Sequence, residues 1–266
     1  MESSTSSLKK FIQNVDEQCE KHLVNKQKIK GKEMPAVCPI CQKEDLAERN
    51  RQLTEKAERD AKKYDTYCWL NRLSIYSDMT LKGVSFEKSE VPKDGEQREN
   101  FKIGYQIAKQ YIDDEKFNTV MAGNAGAGKS HLAMCVLNEV NEQSEELKRC
   151  LFISIDELMR NIKDSFNNKY SSFTERYAIE LINTADLVVL DDLGAEIGLV
   201  NGGSQSSDFV ARTLTAILSG RQSKPTIITT NLTKKEIEQK YDSRISSRVN
   251  KGGNYIVFSK TEDQRK

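Results

Sequence analysis

What this 266-residue chain lacks narrows its possible roles before any motif is considered. It has no surplus of either charge: 41 Lys and Arg against 40 Asp and Glu leave a formal net charge of +1. No protein-wide basic field draws it to nucleic acid, so any such contact has to be local. No apolar run approaches the roughly 20 residues that cross a bilayer, which argues against a membrane partner. The polar residues 1–7 lead into no apolar signal core, and a cytoplasmic location is expected. There is no internal repeat and no low-complexity tract. Cysteines are few, six in all, and their spacing suits metal ligation better than disulfides.

The chain changes texture along its length. Residues 1–42 are polar and cysteine-bearing. Residues 43–84 open with a stretch dense in charge and free of Gly and Pro to residue 70. There Glu55/Arg59 and Glu58/Lys62 are i,i+4 pairs in the favourable order, which predicts a solvated helix ending in the apolar patch Tyr64–Leu70. Residues 85–100, with Pro92 and Asp94-Gly95, read as a linker. Residues 101–266 alternate strand and helix. Helical spacing covers 101–112 and 130–140, and strands are expected at 118–122, 151–155, 187–190, 226–230 and 255–258. Several strands are continuous apolar runs, as parallel strands covered on both faces should be. This alternation predicts an α/β fold with three layers around a parallel sheet. Ser172-x-x-Glu175 and Thr233-x-x-Glu236 read as capping boxes, and Asp156 as a cap for the helix after Ile155. Residues 198–207, with Gly202-Gly203, read as a flexible loop.

Gly123, Asn124, Ala125, Gly126, Ala127, Gly128, Lys129 and Ser130 form a complete G-x-x-x-x-G-K-[ST] phosphate loop, with His131 following. A strand on one side and a helix on the other are the context this motif requires. Its glycines let backbone N–H groups wrap oxygen atoms, and the helix N-terminus adds partial positive charge. Lys129 would reach the β- and γ-phosphates of ATP, and Ser130 would hold Mg²⁺.

The apolar run 187–190 ends in Asp191 and Asp192. An ionised acid at the tip of a buried strand is costly without a cation nearby, so Asp191 is expected to hold Mg²⁺ and Asp192 to orient or deprotonate the attacking water. Asn231, closing the next strand, can contact both water and γ-phosphate. Arg244 and Arg248 stand i,i+4 on one helix face and could present guanidinium to a neighbouring subunit.

Cys19-x-x-His22 and Cys38-x-x-Cys41 are two ligand pairs at a spacing suited to tetrahedral Zn²⁺. With so little apolar content, the segment needs such a staple to fold. Cys68 is a rival ligand, although its aromatic surroundings favour packing. Cys135 and Cys150 read as buried structural thiols. Lys163, Phe166, Lys169 and Tyr170 mix cations and aromatics and suit single-stranded DNA.

Three segments together resemble AAA+ ATPases, and within them the helicase loaders of the DnaC and DnaI family, with the transposition helper IstB as a relative. They are residues 123–133, Leu190-Asp-Asp-Leu-Gly-Ala-Glu196, and Arg244-Ile-Ser-Ser-Arg248 before Gly252-Gly253. The resemblance covers roughly residues 100–260. It implies strand order 5-1-4-3-2, Arg248 as the trans-acting arginine finger with Arg244 second, and ATP-linked self-association on single-stranded DNA. By the same resemblance, residues 1–70 are an arm that grips the hexameric replicative helicase. The last strand leaves eight residues to the end of the sequence, too few for the helical lid of many AAA+ proteins; only Arg265 could stand in for a lid-borne sensor. Where many motors carry Glu, this chain has Asp192, whose carboxylate sits about 1.5 Å further back. Slow, switch-like hydrolysis is therefore expected. The rival expectations are an IstB-like transposition helper, which would not need the zinc staple, and a non-catalytic nucleotide-binding adaptor.

Overall fold

The computed structural model describes residues 11–168, 170–200, 204–251 and 253–261. Gly202-Gly203, Gly252, Lys169 and Arg265, all singled out above, lie outside them. The chain separates into two compact units, Met1–Lys62 and Lys63–Lys266.

The first unit contains an antiparallel hairpin, β1 (Ile12–Gln18) and β2 (Asn25–Ile29). The sequence reading misses it because neither strand has an apolar face: β1 reads Ile-Gln-Asn-Val-Asp-Glu-Gln and is almost entirely exposed. The next element, helix α1 (Pro39–Cys68), starts inside the second cysteine pair on a proline, which suits a first helical turn. It runs unbroken through the expected boundary at 42/43. The ion pairs between residues of this helix are Arg51 with Glu48 and Glu55, at 3.0 and 3.8 Å. The anticipated Glu55/Arg59 and Glu58/Lys62 pairs do not close: Arg51, one turn earlier, engages Glu55. A π-helical turn, Trp69–Leu73, follows α1.

The second unit is a parallel five-stranded sheet with helices on both faces. Its elements are α2 (Glu96–Ile112), β3 (Asn118–Gly123), α3 (Lys129–Gln143), β4 (Cys150–Ser154), α4 (Ile155–Phe166), α5 (Glu175–Thr184), β5 (Leu187–Leu193), α6 (Ser204–Gly220), β6 (Thr226–Thr230), α7 (Lys234–Lys240), α8 (Ser243–Val249) and β7 (Gly253–Phe258). The strand order is β4-β5-β6-β3-β7, which is 5-1-4-3-2 when β3 is counted as the first strand.

Period-two alternation along each strand feeds two cores. Val120, Leu151, Ile153, Val188, Leu190 and Ile228 face α4, α5, α6 and α8. Met121, Phe152, Leu187, Val189, Ile227 and Ile256 face α2 and α3. Helix α3 is buried without interruption from Leu132 to Asn138, as a helix at the centre of a layer must be.

Several boundaries differ from the sequence expectation. Helix α2 begins at Glu96 inside the expected linker, because Gly95 at φ 89° ends the extended segment there. Strand β5 continues through both acids to Leu193. Ile155 belongs to α4, not to the strand before it. Thr174, not Ser172, caps α5 by accepting from the Tyr177 N–H. Asp156 is not a cap: Ser154 holds that position, and Asp156 instead pairs with Arg160 at 2.6 Å. The Thr233–Glu236 capping box is present. Much of the loop expected at 198–207 is helical, a 3-10 turn over Ala195–Val200 and the start of α6 at Ser204.

The end of β7 is fixed by one side chain. The Glu96 carboxylate accepts from Ser259 N and Oγ, Lys260 N, and Thr261 N and Oγ1, all within 3.0 Å. Burial opposes its ionisation, but the donors of Thr261, Lys260 and Ser259 outweigh that and hold the acid down to about 2. Because the folded-state value lies below the ordinary one of 4.5, this clamp stabilises fully above pH 4.5 and is lost as pH falls toward about 2. Glu96→Gln is expected to cost about 1–2 kcal/mol in denaturant unfolding at pH 7. The gap between the variant and the parent should narrow below pH 4.5.

Candidate functional site

The carboxyl ends of β3, β5 and β6 converge on a cleft of about 570 Å³. At β3 the chain turns through Gly123, at φ 146°. A Cβ at this position would lie 2.1 Å from the Phe258 carbonyl oxygen, so only glycine lets the loop pass the end of β7. Gly126 and Gly128 adopt φ 73° and 88°, which bring the loop into α3. Ala125, Gly126, Gly128, Lys129, Ser130 and His131 line the cleft, while Ala127 is fully buried beneath it. The Lys129 ammonium donates to Gly123 O at 3.0 Å, Asn124 O at 2.6 Å and Asn231 Oδ1 at 2.7 Å.

Asp191, Asp192 and Asn231 line the same cleft. Asn231 joins the two charges: its carbonyl faces Lys129, and its Nδ2 donates to Asp192 Oδ1 at 3.0 Å. The register of β5 against β6 slips between Leu190 and Leu193, and Asp192 there takes the left-handed value φ 61°. A bulge of this kind redirects a side chain at the cost of backbone strain. Thr229 supports the bulge from β6. Its hydroxyl accepts from Asp192 N at 2.8 Å and donates to Asp191 Oδ1 at 2.7 Å. Asp191 is 3% exposed. Burial pushes its pKa up, against the opposing hydrogen bonds of Ser130 and Thr229. Such an acid gains from a divalent cation.

Arg244 and Arg248 share α8, with Arg248 Nη1 donating to Arg244 O at 2.7 Å, and neither lines the cleft. Residues the sequence reading missed close its other side: Leu81, Gln97 and Phe101, with Asp78 and Glu90. They fall in the supposed linker and in a 3-10 turn at Met79–Leu81 with its N-cap Asp78, where no periodicity flags them. Phe101 is an exception, marked only as a core position of a helix. The half-buried His131 hydrogen-bonds Ser89 Oγ through Nε2 at 2.8 Å, and burial lowers its pKa toward the neutral imidazole.

In the first unit, the ligand atoms of Cys19, His22, Cys38 and Cys41 all lie within 4.8 Å of one another. His22 Nδ1 stands 3.7, 3.6 and 3.3 Å from the sulfurs of Cys19, Cys38 and Cys41, and Cys19 Sγ is 3.7 Å from Cys41 Sγ. The S–S edge of a tetrahedron built on Zn–S bonds of about 2.3 Å is about 3.8 Å. The spacing and the donor set therefore fit a metal ion. Glu44 Oε1, 3.1 Å from His22 Nε2, orients the ring. Cys68 is not part of the cluster. Cys135 and Cys150 are buried, and burial raises their thiols to about 11 and about 12.

Of the residues read as a DNA surface, Lys163 and Phe166 close α4, and Tyr170 is 98% exposed. The Phe166 ring also packs edge-on against Phe209 at 5.4 Å, so it has a structural partner.

The bacterial DnaA ATPase domain model matches residues 93–255. The replicative helicase loader DnaC of Escherichia coli strain K12 is 27% identical over 158 residues, covering 57% of this chain and 59% of that protein. The chain thus spans about three fifths of the length of this curated relative. Among solved structures, DnaI aligns at TM-score 0.51 and 20% identity over 69% of this chain and 95% of that one. The DnaC helicase loader aligns at TM-score 0.50 and 20% identity, covering 68% and 99%. At this identity the two structures establish a common fold.

Thr229→Val keeps the shape of the side chain but strands Asp192 N–H and Asp191 Oδ1. It is expected to destabilise by about 1–3 kcal/mol, with Thr229→Ser close to the parent, as read by chemical denaturation.

Proposed function

The chain belongs to the bacterial DnaA ATPase domain family, an AAA+ fold, and from its similarity to the replicative helicase loader DnaC we propose that it is an ATP-dependent helicase loader. One observation supports this above the rest. Lys129, Ser130, Asp191, Asp192 and Asn231, drawn from three strand ends, face one cleft. Within it the loop amides, Lys129 and the start of α3 would bind the triphosphate, with Ser130 and Asp191 holding Mg²⁺. Asp192 would take the proton of the attacking water, and Asn231 would place that water against the γ-phosphate. Leu81 and Phe101 offer an apolar wall to the base, with Gln97 and Glu90 at its edge. Arg248, with Arg244 behind it, would complete the site of an adjoining copy. The short reach of Asp192 suits slow turnover, so ATP acts as a switch on assembly.

The Cys19–His22–Cys38–Cys41 cluster would hold Zn²⁺. With it, residues 1–42 form the module that grips the helicase, helped by the charged helix and the region to residue 84. Residues 101–266 are the ATPase domain. Single-stranded DNA would lie along Lys163, Phe166, Lys169 and Tyr170.

The full chain is expected to contain one zinc per copy by metal analysis. It should also capture a bacterial replicative helicase hexamer in an ATP-dependent manner. Replacing Cys38 and Cys41 with Ser should abolish both zinc and capture while leaving ATP binding intact. Asp192→Asn should retain ATP within a few-fold but lose turnover by about 100-fold or more. Turnover by the parent no faster than by Asp192→Asn would instead favour the adaptor reading. Capture of a transposase in place of a helicase would favour the transposition-helper reading.

A further inference from the structure

Among the described residues, one buried acid stands outside the cleft. Glu196, 0% exposed, lies in the 3-10 turn that follows β5, five residues beyond Asp191. Its Oε2 accepts from the Gly194 N–H at 2.8 Å, and its Oε1 accepts from the Tyr241 hydroxyl. Tyr241 ends α7 and immediately precedes Asp242, the N-cap of α8. Asp242 Oδ1 accepts from Arg244 N and Ile245 N, both at 2.9 Å, and Arg248 in turn donates to Arg244 O. Gly194, at φ 111°, fits so closely that a Cβ there would come within 2.9 Å of the Leu232 side chain, next to Asn231. Glu196 is thus the point where the turn after the acids, the loop after Asn231 and the arginine helix meet.

A carboxyl group is an expensive way to fill this space. Burial raises the pKa of Glu196, and burial followed by the neighbouring Glu196 raises that of Tyr241. An apolar side chain would occupy the same volume without that desolvation. What the acid adds is direction, since it binds donors from two elements at fixed angles. The rest of α8 is held by Ile245 and Val249, buried against the same core as Leu193 and Ile237. Apolar contacts of that kind fix depth but allow sliding and rotation.

We propose that Glu196 and Tyr241 are positioning residues, which register α8 against the acid-bearing end of β5 so that Arg248 meets the nucleotide of a second copy of this chain. The inference rests on the reading of Arg248 as a trans-acting finger. It makes each subunit's donated guanidinium depend on the state of that subunit's own β5.

The test separates donating from receiving, with full-length chains, ATP and Mg²⁺. Lys129→Ala chains cannot hold nucleotide but still donate, and Arg248→Ala chains hold nucleotide but do not donate. If the finger acts in trans, mixing the two restores turnover that neither shows alone. Tyr241→Phe is then expected to behave like Arg248→Ala: unchanged affinity for a fluorescent ATP analogue, turnover lowered by about 10- to 100-fold, and recovery on mixing with Lys129→Ala. Glu196→Met keeps most of the volume but can accept from neither Gly194 N–H nor the Tyr241 hydroxyl, and it should give the same pattern. It covers the case in which Tyr241→Phe lowers the melting temperature too far to assay. Full turnover by both variants alone, or a loss that Lys129→Ala chains do not rescue while they do rescue Arg248→Ala, would overturn the inference and leave the finger intact. Failure to rescue Arg248→Ala itself would remove the finger reading, and the inference with it.

Discussion

A single side-chain amide sets the geometry on which the rest of the cleft depends. Asn231 offers its oxygen to the Lys129 ammonium and its nitrogen to the Asp192 carboxylate, at 2.7 and 3.0 Å. A cation and an anion left to themselves would collapse together; the amide keeps them apart and aims each into the cleft. It can do so because β6 lies between β3 and β5, so its tip is in reach of the phosphate loop on one side and the acids on the other. Two residues back, Thr229 repeats the arrangement below the surface, bridging Asp191 and Asp192 with one hydroxyl. The parallel sheet supplies rigidity where the chemistry needs it, and open strand ends where a ligand can enter.

The first unit is built on another basis. Among described residues 11–62, only Cys19 and Cys38 are buried, and both are prospective metal ligands. No apolar core is there to offset the entropy of ordering a polar hairpin. Four donors brought together at coordination distances are what the unit has in place of one, and a bound ion would supply folding free energy directly. The two units thus solve the problem of stability separately, one by excluding water and the other by ligation.

Much of this was legible in the sequence, because the informative signals were local. The phosphate loop is a contiguous octapeptide, the acid pair ends a run of four apolar residues, and the ligand pairs show in their spacing. Continuous apolar strands betrayed a sheet covered on both faces. Other features were hidden for identifiable reasons. The β1–β2 hairpin has no alternation to detect. Asp156 and Ser172 looked like caps because their residue types suit the position, but a cap is decided by where the backbone turns. The far wall of the cleft joins Leu81, Gln97 and Phe101 only through tertiary folding. The bulge at Asp192 and the service Thr229 gives it depend on a slip of register between two strands, which neither strand encodes alone.

The contact between Gly123 and Phe258 has an architectural consequence. The last carbonyl of β7 accepts from Asn124 N at 3.2 Å and forms the floor on which the phosphate loop turns. Glu96 in turn secures the residues just beyond that carbonyl. The most C-terminal strand of the sheet is therefore a buttress for the motif that begins well over a hundred residues earlier. A shortened version ending before β7 would contain every residue of the loop and still lose the surface that shapes it.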